Sequence, residues 1–161
     1  MTTVHTLASG SSGNALLLSW EGGHILVDAG ISCRRISRSL ETLGLTLGDL
    51  DALCVTHTHS DHISGLATLL KHTDCPVWAT APAGRDLLRR LAGLEDRLRE
   101  AAGSFAVGDC AVSAFPTAHD APGSCGYRFD TPDGGVGVLT DSGLVTAEAE
   151  AVLPGVALAV L

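Results

Sequence analysis

The chain is short of lysine and of aromatic side chains. Among 161 residues Lys71 is the single lysine, and Phe, Trp and Tyr together make up 4%. Charged residues account for 17% against 45% hydrophobic, with a net charge of −8. Little charge and much apolar content exclude a disordered chain, which needs the reverse. The acidic balance excludes a polycation that coats nucleic acid and leaves that role only to a local basic patch. The five cysteines are an odd number without CxxC spacing, so a disulfide-framed miniprotein is excluded. In a reducing compartment such cysteines behave as small buried hydrophobes. No apolar run reaches the ~18 residues of a membrane span. The N-terminal MTTVHTLASGSSGN has no basic region followed by an apolar stretch, so the expectation is a cytoplasmic protein without membrane attachment. The stretch Gly10 to Gly13 lacks the G-x-x-x-x-G-K-[ST] pattern, which excludes a P-loop.

What the sequence does contain is short apolar runs punctuated by turn residues, over a length that reads as one domain. Strands are predicted at Val4–Leu7, Ala15–Ser19, Ile25–Val27, Ala52–Val55, Pro76–Ala79, Ser104–Val107, Cys110–Phe115, Gly126–Phe129, Val136–Thr140 and Val156–Leu161. Helical periodicity covers Ile31–Leu43, with Ile36, Leu40 and Leu43 on one face, Ser32 as N-cap and Gly44 as stop. Further helices are predicted at Ile63–His72, at Ala83–Leu91 with Pro82 near its start, and at Thr146–Leu153. Mixed strands and helices in this order describe a layered α/β sandwich. Two arginine clusters, Arg34/Arg35/Arg38 and Arg85/Arg89/Arg90, read as solvated helix faces; beside a cleft, either could hold a phosphate backbone.

The chemistry is concentrated in His57-Thr58-His59-Ser60-Asp61-His62, between the strand-like Leu53-Cys54-Val55 and a helix. Buried imidazoles and carboxylates each need a polar partner, so this cluster is not core filler. Imidazole with carboxylate suits zinc, iron or manganese. Alternate residues of extended chain point the same way, so His57 and His59 can share one ion, while Asp61 and His62, past the bend, face a second. His119, after the run Val112–Phe115, supplies a third nitrogen from a strand end. Asp141, after Gly137–Thr140, offers a carboxylate that can bridge two cations. Asp28, after Ile25–Val27, is placed to accept from a ligating imidazole and fix its tautomer.

These residues resemble the metallo-β-lactamase fold superfamily, whose signature H-x-H-x-D-H stands here as His57 to His62. Asp28, His119 and Asp141 follow in that family's order. The closer resemblance is to its YycJ/WalJ-type branch, near the RNase Z and phosphodiesterase members. It is carried by Ala8-Ser9-Gly10-Ser11-Ser12-Gly13-Asn14, by His119-Asp120 and by Ser124-Cys125-Gly126-Tyr127-Arg128-Phe129. The resemblance implies an αββα four-layer sandwich over 1–161, here mainly its N-terminal half. It implies His57, His59 and His119 on a first metal, Asp61 and His62 on a second, Asp141 bridging, Asp28 orienting the imidazoles and Asn14 lining the site. It implies two divalent ions, zinc, manganese or iron, activating a water for in-line attack at phosphorus. Asp61 and His62 are then the catalytic candidates, although a carboxylate on a metal is a poor base.

The family normally carries a further metal-binding histidine and a second αβ half, which this sequence lacks. The expectations are a complete first metal site, a second site short of one ligand, and an exposed half-sandwich face that another copy of the chain covers. DNA or RNA is the expected substrate, and a DNA exonuclease the sharpest form. A thioester or lactone hydrolase of the same fold and a non-catalytic metal-binding protein are the competing functions, because fold alone does not fix function.

Overall fold

The computed structural model describes residues 1–161. Two sheets face each other. The first holds six strands in the order β1-β2-β3-β4-β5-β6: β1 (Thr3–Ala8), β2 (Ala15–Trp20), β3 (Gly23–Val27), β4 (Ala52–Cys54), β5 (Val77–Ala79) and β6 (Leu98–Glu100). β1, β2 and β3 are antiparallel neighbours, and β3 to β6 run parallel. The second holds five, in the order β11-β10-β9-β8-β7: β7 (Ser104–Val107), β8 (Cys110–Pro116), β9 (Cys125–Thr131), β10 (Gly134–Val138) and β11 (Leu158–Val160). β11 lies parallel to β10; the other pairings of this sheet are antiparallel.

Alternation along the strands builds the layers. Leu17, Leu26, Leu53, Val77 and Ala79 point outward, under α1 (Cys33–Thr42), α3 (Leu66–Leu69) and α4 (Ala81–Arg90). Their strand neighbours Leu16, Leu18, Ile25, Val27 and Cys54 point inward, against Cys110, Val112, Tyr127, Phe129 and Val138 of the second sheet. Strands covered on both faces need unbroken apolar runs, as in Ala15–Leu18. The outer face of the second sheet carries one helix, α5 (Ala147–Val152), which packs Ala149 against Phe115 and Leu139. All four layers of the sandwich are therefore present, the fourth as a single short helix. The apolar side chains of Leu144 and Val145, before α5, and of Leu158 and Leu161, in and just after β11, are exposed. No helix is long and apolar enough to cross a membrane.

Most predicted elements stand where periodicity put them. Ser32 caps α1, its hydroxyl accepting from the Arg35 N–H at 3.2 Å, and buried Ile36 and Leu40 form the inner face. Leu43, assigned to that face, instead sits beyond the last turn and is exposed. The helix predicted over Ile63–His72 is two separate turns, α2 (Ser60–Ile63) and α3. The cause is tertiary. The Gly65 N–H donates to Ala29 O at 2.8 Å, and Ala29 N–H donates to His62 O at 2.9 Å. A Cβ on Gly65 would collide with the Ile31 carbonyl, so the chain bends here to lie against residues 29–31. Strand β6 has no counterpart in the sequence reading, because Leu98-Arg99-Glu100 shows one apolar residue and no alternation.

This close approach sets a stability prediction. Gly65→Ala is expected to lower the unfolding free energy by about 3 kcal/mol, since the backbone on which the methyl lands cannot yield. Gly48→Ala, whose methyl would meet only Thr46 Oγ1 at 3.6 Å, should cost less than about 0.5 kcal/mol. Urea unfolding of the two variants checks the contrast; equal small losses would show that the turn is not packed against the Ile31 carbonyl.

Candidate metal centre

Strand ends from both sheets deliver the side chains to one rim. β3 ends at Asp28, β4 runs out into Val55–His59 and then α2, β8 leads to His119, and β10 leads to Thr140 and Asp141. In sheets with parallel strands, the crevice beyond the carboxyl ends is where ligands bind. The second sheet anchors the loop after β4. The buried Tyr127 hydroxyl donates to Val55 O at 2.7 Å, and Cys125 N–H donates to Thr56 O at 2.9 Å. The Cys125 thiol is turned to Val55 O as well, with burial pushing it up to about 12, so it stays a thiol.

Asp28 is the hub. It is 3% exposed and accepts from the Thr56 N–H at 2.8 Å, the Thr56 hydroxyl at 2.7 Å and His62 Nδ1 at 2.7 Å. Burial raises its pKa, and the donors from His62 and Thr56 oppose that rise. Asp28 and Asp141 are the non-glycine residues with left-handed backbone, at φ 61° and 52°. That region is uncommon for such residues and clusters at functional sites. With Nδ1 held by Asp28, His62 presents Nε2 to the rim, 2.7 Å from Asp141 Oδ2 and 3.6 Å from Asp61 Oδ2. Burial pulls the His62 ring toward the neutral form, but Asp28, Asp141 and Asp61 outweigh it and raise its pKa.

Asn14 ties the glycine-serine loop to this cluster. Its side-chain amide donates to Gly10 O at 2.8 Å and to Asp61 Oδ2 at 3.3 Å, and lies 3.2 Å from His62 Nε2. Ser9, Gly10, Ser11 and Asn14 face Asp61, Thr140 and Asp141 across a cleft of about 360 Å³.

The three remaining imidazoles form a second group. His59 Nδ1 and His119 Nε2 are 3.1 Å apart, and the His57 ring centroid lies 4.9 Å from that of His59 and 4.6 Å from that of His119. His57 is 2% exposed, and its Nε2 has no hydrogen-bond partner. An unpartnered buried polar atom is costly. Burial first, then the neighbouring His62 and His119, lower the His57 pKa from 6.5 to about 4, which keeps it a neutral donor at pH 7. Donor atoms of His57, His59 and His119 fall within 4.8 Å of one another, and so do those of His57, Asp61 and His62. His57 thus belongs to both groups.

All eight residues singled out in the sequence meet at this rim: Asn14, Asp28, His57, His59, Asp61, His62, His119 and Asp141. The sequence reading missed Thr56, whose hydroxyl also lies 3.0 Å from His57 Nδ1, and Thr58, which bonds Asp86. Alternation with His57 and His59 was the available signal for Thr58; for Thr56 there was none. Of the arginine clusters, Arg89 and Arg90 pair with Asp86, while Arg34 and Arg38 line a separate groove with Ser37, Glu41, Thr68 and His72.

Fold, rim and donor set together define a metallo-β-lactamase-type domain. The family model described as "Beta-lactamase superfamily domain" matches residues 24–161; the chain belongs to the metallo-β-lactamase superfamily. It is similar to Exodeoxyribonuclease YycJ of Bacillus anthracis, with 32% identity over 152 residues, 92% of this chain and 58% of that protein. Exodeoxyribonuclease WalJ of Streptococcus pneumoniae serotype 2 is 34% identical over 145 residues, 87% of this chain and 54% of that protein. Ribonuclease Z of Methanopyrus kandleri is 30% identical over 125 residues, 73% of this chain and 43% of that protein. The chain therefore spans about half the length of these relatives. Among solved structures, the Rm3 metallo-β-lactamase superposes with a TM-score of 0.70 at 24% identity, over 91% of this chain and 65% of that one. That likeness concerns the fold.

Titration of the metal-free protein tests the burial of neutral His57. Its folded pKa of about 4 lies below the unfolded 6.5. As the pH falls through that window, the unfolded chain takes up a proton the folded chain refuses, and stability is lost. His62, with a raised pKa, has the opposite sign: its contribution is full below the unfolded pKa and is lost as the pH rises through the folded one. Melting temperatures of chelator-treated protein should fall between pH 6.5 and 4, and His57→Gln should flatten that acid-side slope. An unchanged slope would contradict a buried neutral ring at this position.

Proposed function

We propose that this chain is a metal-dependent hydrolase of phosphodiester bonds in nucleic acid, with a DNA exonuclease as the specific form. The observation that carries the reading is the His57 Nε2 atom, buried, unpartnered and set against the rings of His59, His62 and His119. An imidazole nitrogen in that setting, neutral at pH 7, has the chemistry of a metal ligand. The donor set fits such an ion. His57, His59 and His119 would hold the first, and Asp61 and His62, with His57 at the junction, the second. Asp141 is the bridging candidate. When bound, divalent zinc, manganese or iron supplies the positive charge that acidifies an attacking water and offsets charge developing at phosphorus.

The protein's own groups do the positioning. Asp28 fixes the tautomer of His62 and aims Nε2 at the rim. The Asn14 amide orients the Asp61 carboxylate. Asp61, His59 and Asp141 keep solvent access, with side-chain exposures of 28%, 43% and 39%, so they line the mouth through which substrate arrives. The names of the relatives, two exodeoxyribonucleases and a ribonuclease Z, favour phosphodiesters over thioesters, lactones or β-lactams. A cytoplasmic, reducing location is consistent with five buried cysteines, all unpaired.

Two outcomes are expected. Purified protein with manganese hydrolyses bis(p-nitrophenyl) phosphate, and His57→Ala or His119→Ala lowers that rate at least ~100-fold, in line with losing a ligand rather than its support; turnover of a thioester or lactone panel without phosphodiester cleavage would overturn the assignment. Because coordination at His62 must displace a proton whose affinity is raised, zinc affinity measured by chelator competition should rise from pH 6 to pH 8. A flat profile would remove His62 from the ligand set.

A further inference from the structure

We propose that Asp86 of α4 is a positioning residue for the three-imidazole cation site, acting through Thr58. This inference rests on the metal-hydrolase reading above. His57 and His59 turn to the site; Thr58, between them, turns the other way, and its hydroxyl donates to Asp86 Oδ2 at 2.5 Å. Both partners are buried, Thr58 at 2% and Asp86 at 9% exposure. Asp86 is held in turn by Arg89 Nη2 on Oδ1 and Arg90 Nη2 on Oδ2, each at 3.0 Å. Two guanidinium groups one turn along the same helix therefore fix the carboxylate that fixes the residue between two ligands.

Packing does not account for Asp86. The other buried side chains of α4, Ala83 and Leu87, belong to the helix-side core. A carboxylate beside them gives up part of its hydration, and its pairs with Arg89 and Arg90, whose side chains are 74% and 51% exposed, return little stability. What the carboxylate gains is a single directed bond to the loop that carries His57 and His59. The same helix reaches the other ligand loop. At its N-cap, Thr80 donates its hydroxyl to Gly123 O at 2.6 Å, in the segment that follows His119. α4 thus braces both loops from which the three imidazoles come.

Groups that orient metal-binding imidazoles from behind typically change affinity by about 10–100-fold when removed. The test is a cobalt(II) titration of the full chain, read by visible absorption and chelator competition, with far-UV circular dichroism and metal-free melting recorded for every variant. Thr58→Val and Asp86→Ala should each weaken cobalt binding about 10-fold, and the double variant should be no weaker than the single ones, because the two share one interaction. Thr58→Ser, which keeps the hydroxyl, should stay within about threefold of wild type. If Asp86→Ala does not fold, the near-isosteric Asp86→Leu, which also lacks an acceptor for the Thr58 hydroxyl, carries the same expectation of weakened binding. Wild-type cobalt affinity in Thr58→Val and in the folded Asp86 variant, even with lowered melting temperatures, would make the pair a packing feature and overturn the inference. A wild-type chain that takes up no cobalt, or whose uptake ignores His119→Ala, would overturn it differently, by removing the metal centre on which it rests.

Discussion

The buried carboxylate of Asp28 is the point at which the ends of β3 and β4 and the turn of α2 are held together by side chains. It stands just past β3, takes two hydrogen bonds from Thr56 just past β4, and a third from His62 in α2. Removing a carboxylate from water is expensive, and three donors at 2.7–2.8 Å offset that cost. The left-handed backbone at Asp28, φ 61°, lets the chain leave β3 and turn beneath α2. Around this point the backbone is laced together: Asn14 N–H donates to Asp61 O, Gly30 N–H to Asn14 O, and Ser64 Oγ to Gly30 O, all at 2.8–2.9 Å. The site's geometry is therefore a property of the first sheet's rim and its hydrogen bonds more than of any single loop.

The second sheet contributes at a distance. No ladder of hydrogen bonds joins the two sheets; apolar packing does, with polar stitches that include Tyr127 and Cys125 to the Val55–Thr56 carbonyls and Trp20 Nε1 to Asp109. His119 and Asp141 ride on strand ends of this second sheet. Their distance from His57, His59 and His62 is consequently set by how well the inter-sheet core is filled. A loss of volume at Tyr127 or Phe129 would act on the rim without touching it.

Much of this was legible in the sequence, and the exceptions have physical causes. The strands under both helices and sheet announced themselves as apolar runs, and Ser32 marked a helix start through its capping chemistry. The helix over Ile63–His72 was misread because Gly65 is explained only by the Ile31 carbonyl, a neighbour far away in sequence. Leu98-Arg99-Glu100 became a strand by pairing with Val77–Ala79, not by its own pattern. Asn14 came from the family resemblance alone; the other seven of the eight candidate residues were visible because imidazoles and carboxylates are rarely spent idly at strand ends. Thr56, Thr58 and Asp86 were not, since a threonine or an acid on a helix has many ordinary uses, and only the fold reveals which partner it found.

The rim draws on residues from Asn14 to Asp141, so most of the chain must be in place before it exists. Closing loops of that length costs entropy that grows with separation, and non-local strand pairing is slow. The His57–His62 segment can gather locally, but His119 and Asp141 arrive only when the second sheet has docked. A cation held from both sheets, as proposed, would bind the finished fold better than the open chain, and its free concentration would then pull the folding equilibrium. On the proposed metal reading, metal supply would accordingly govern how much of this protein accumulates in folded form, and not only how many folded copies carry an ion.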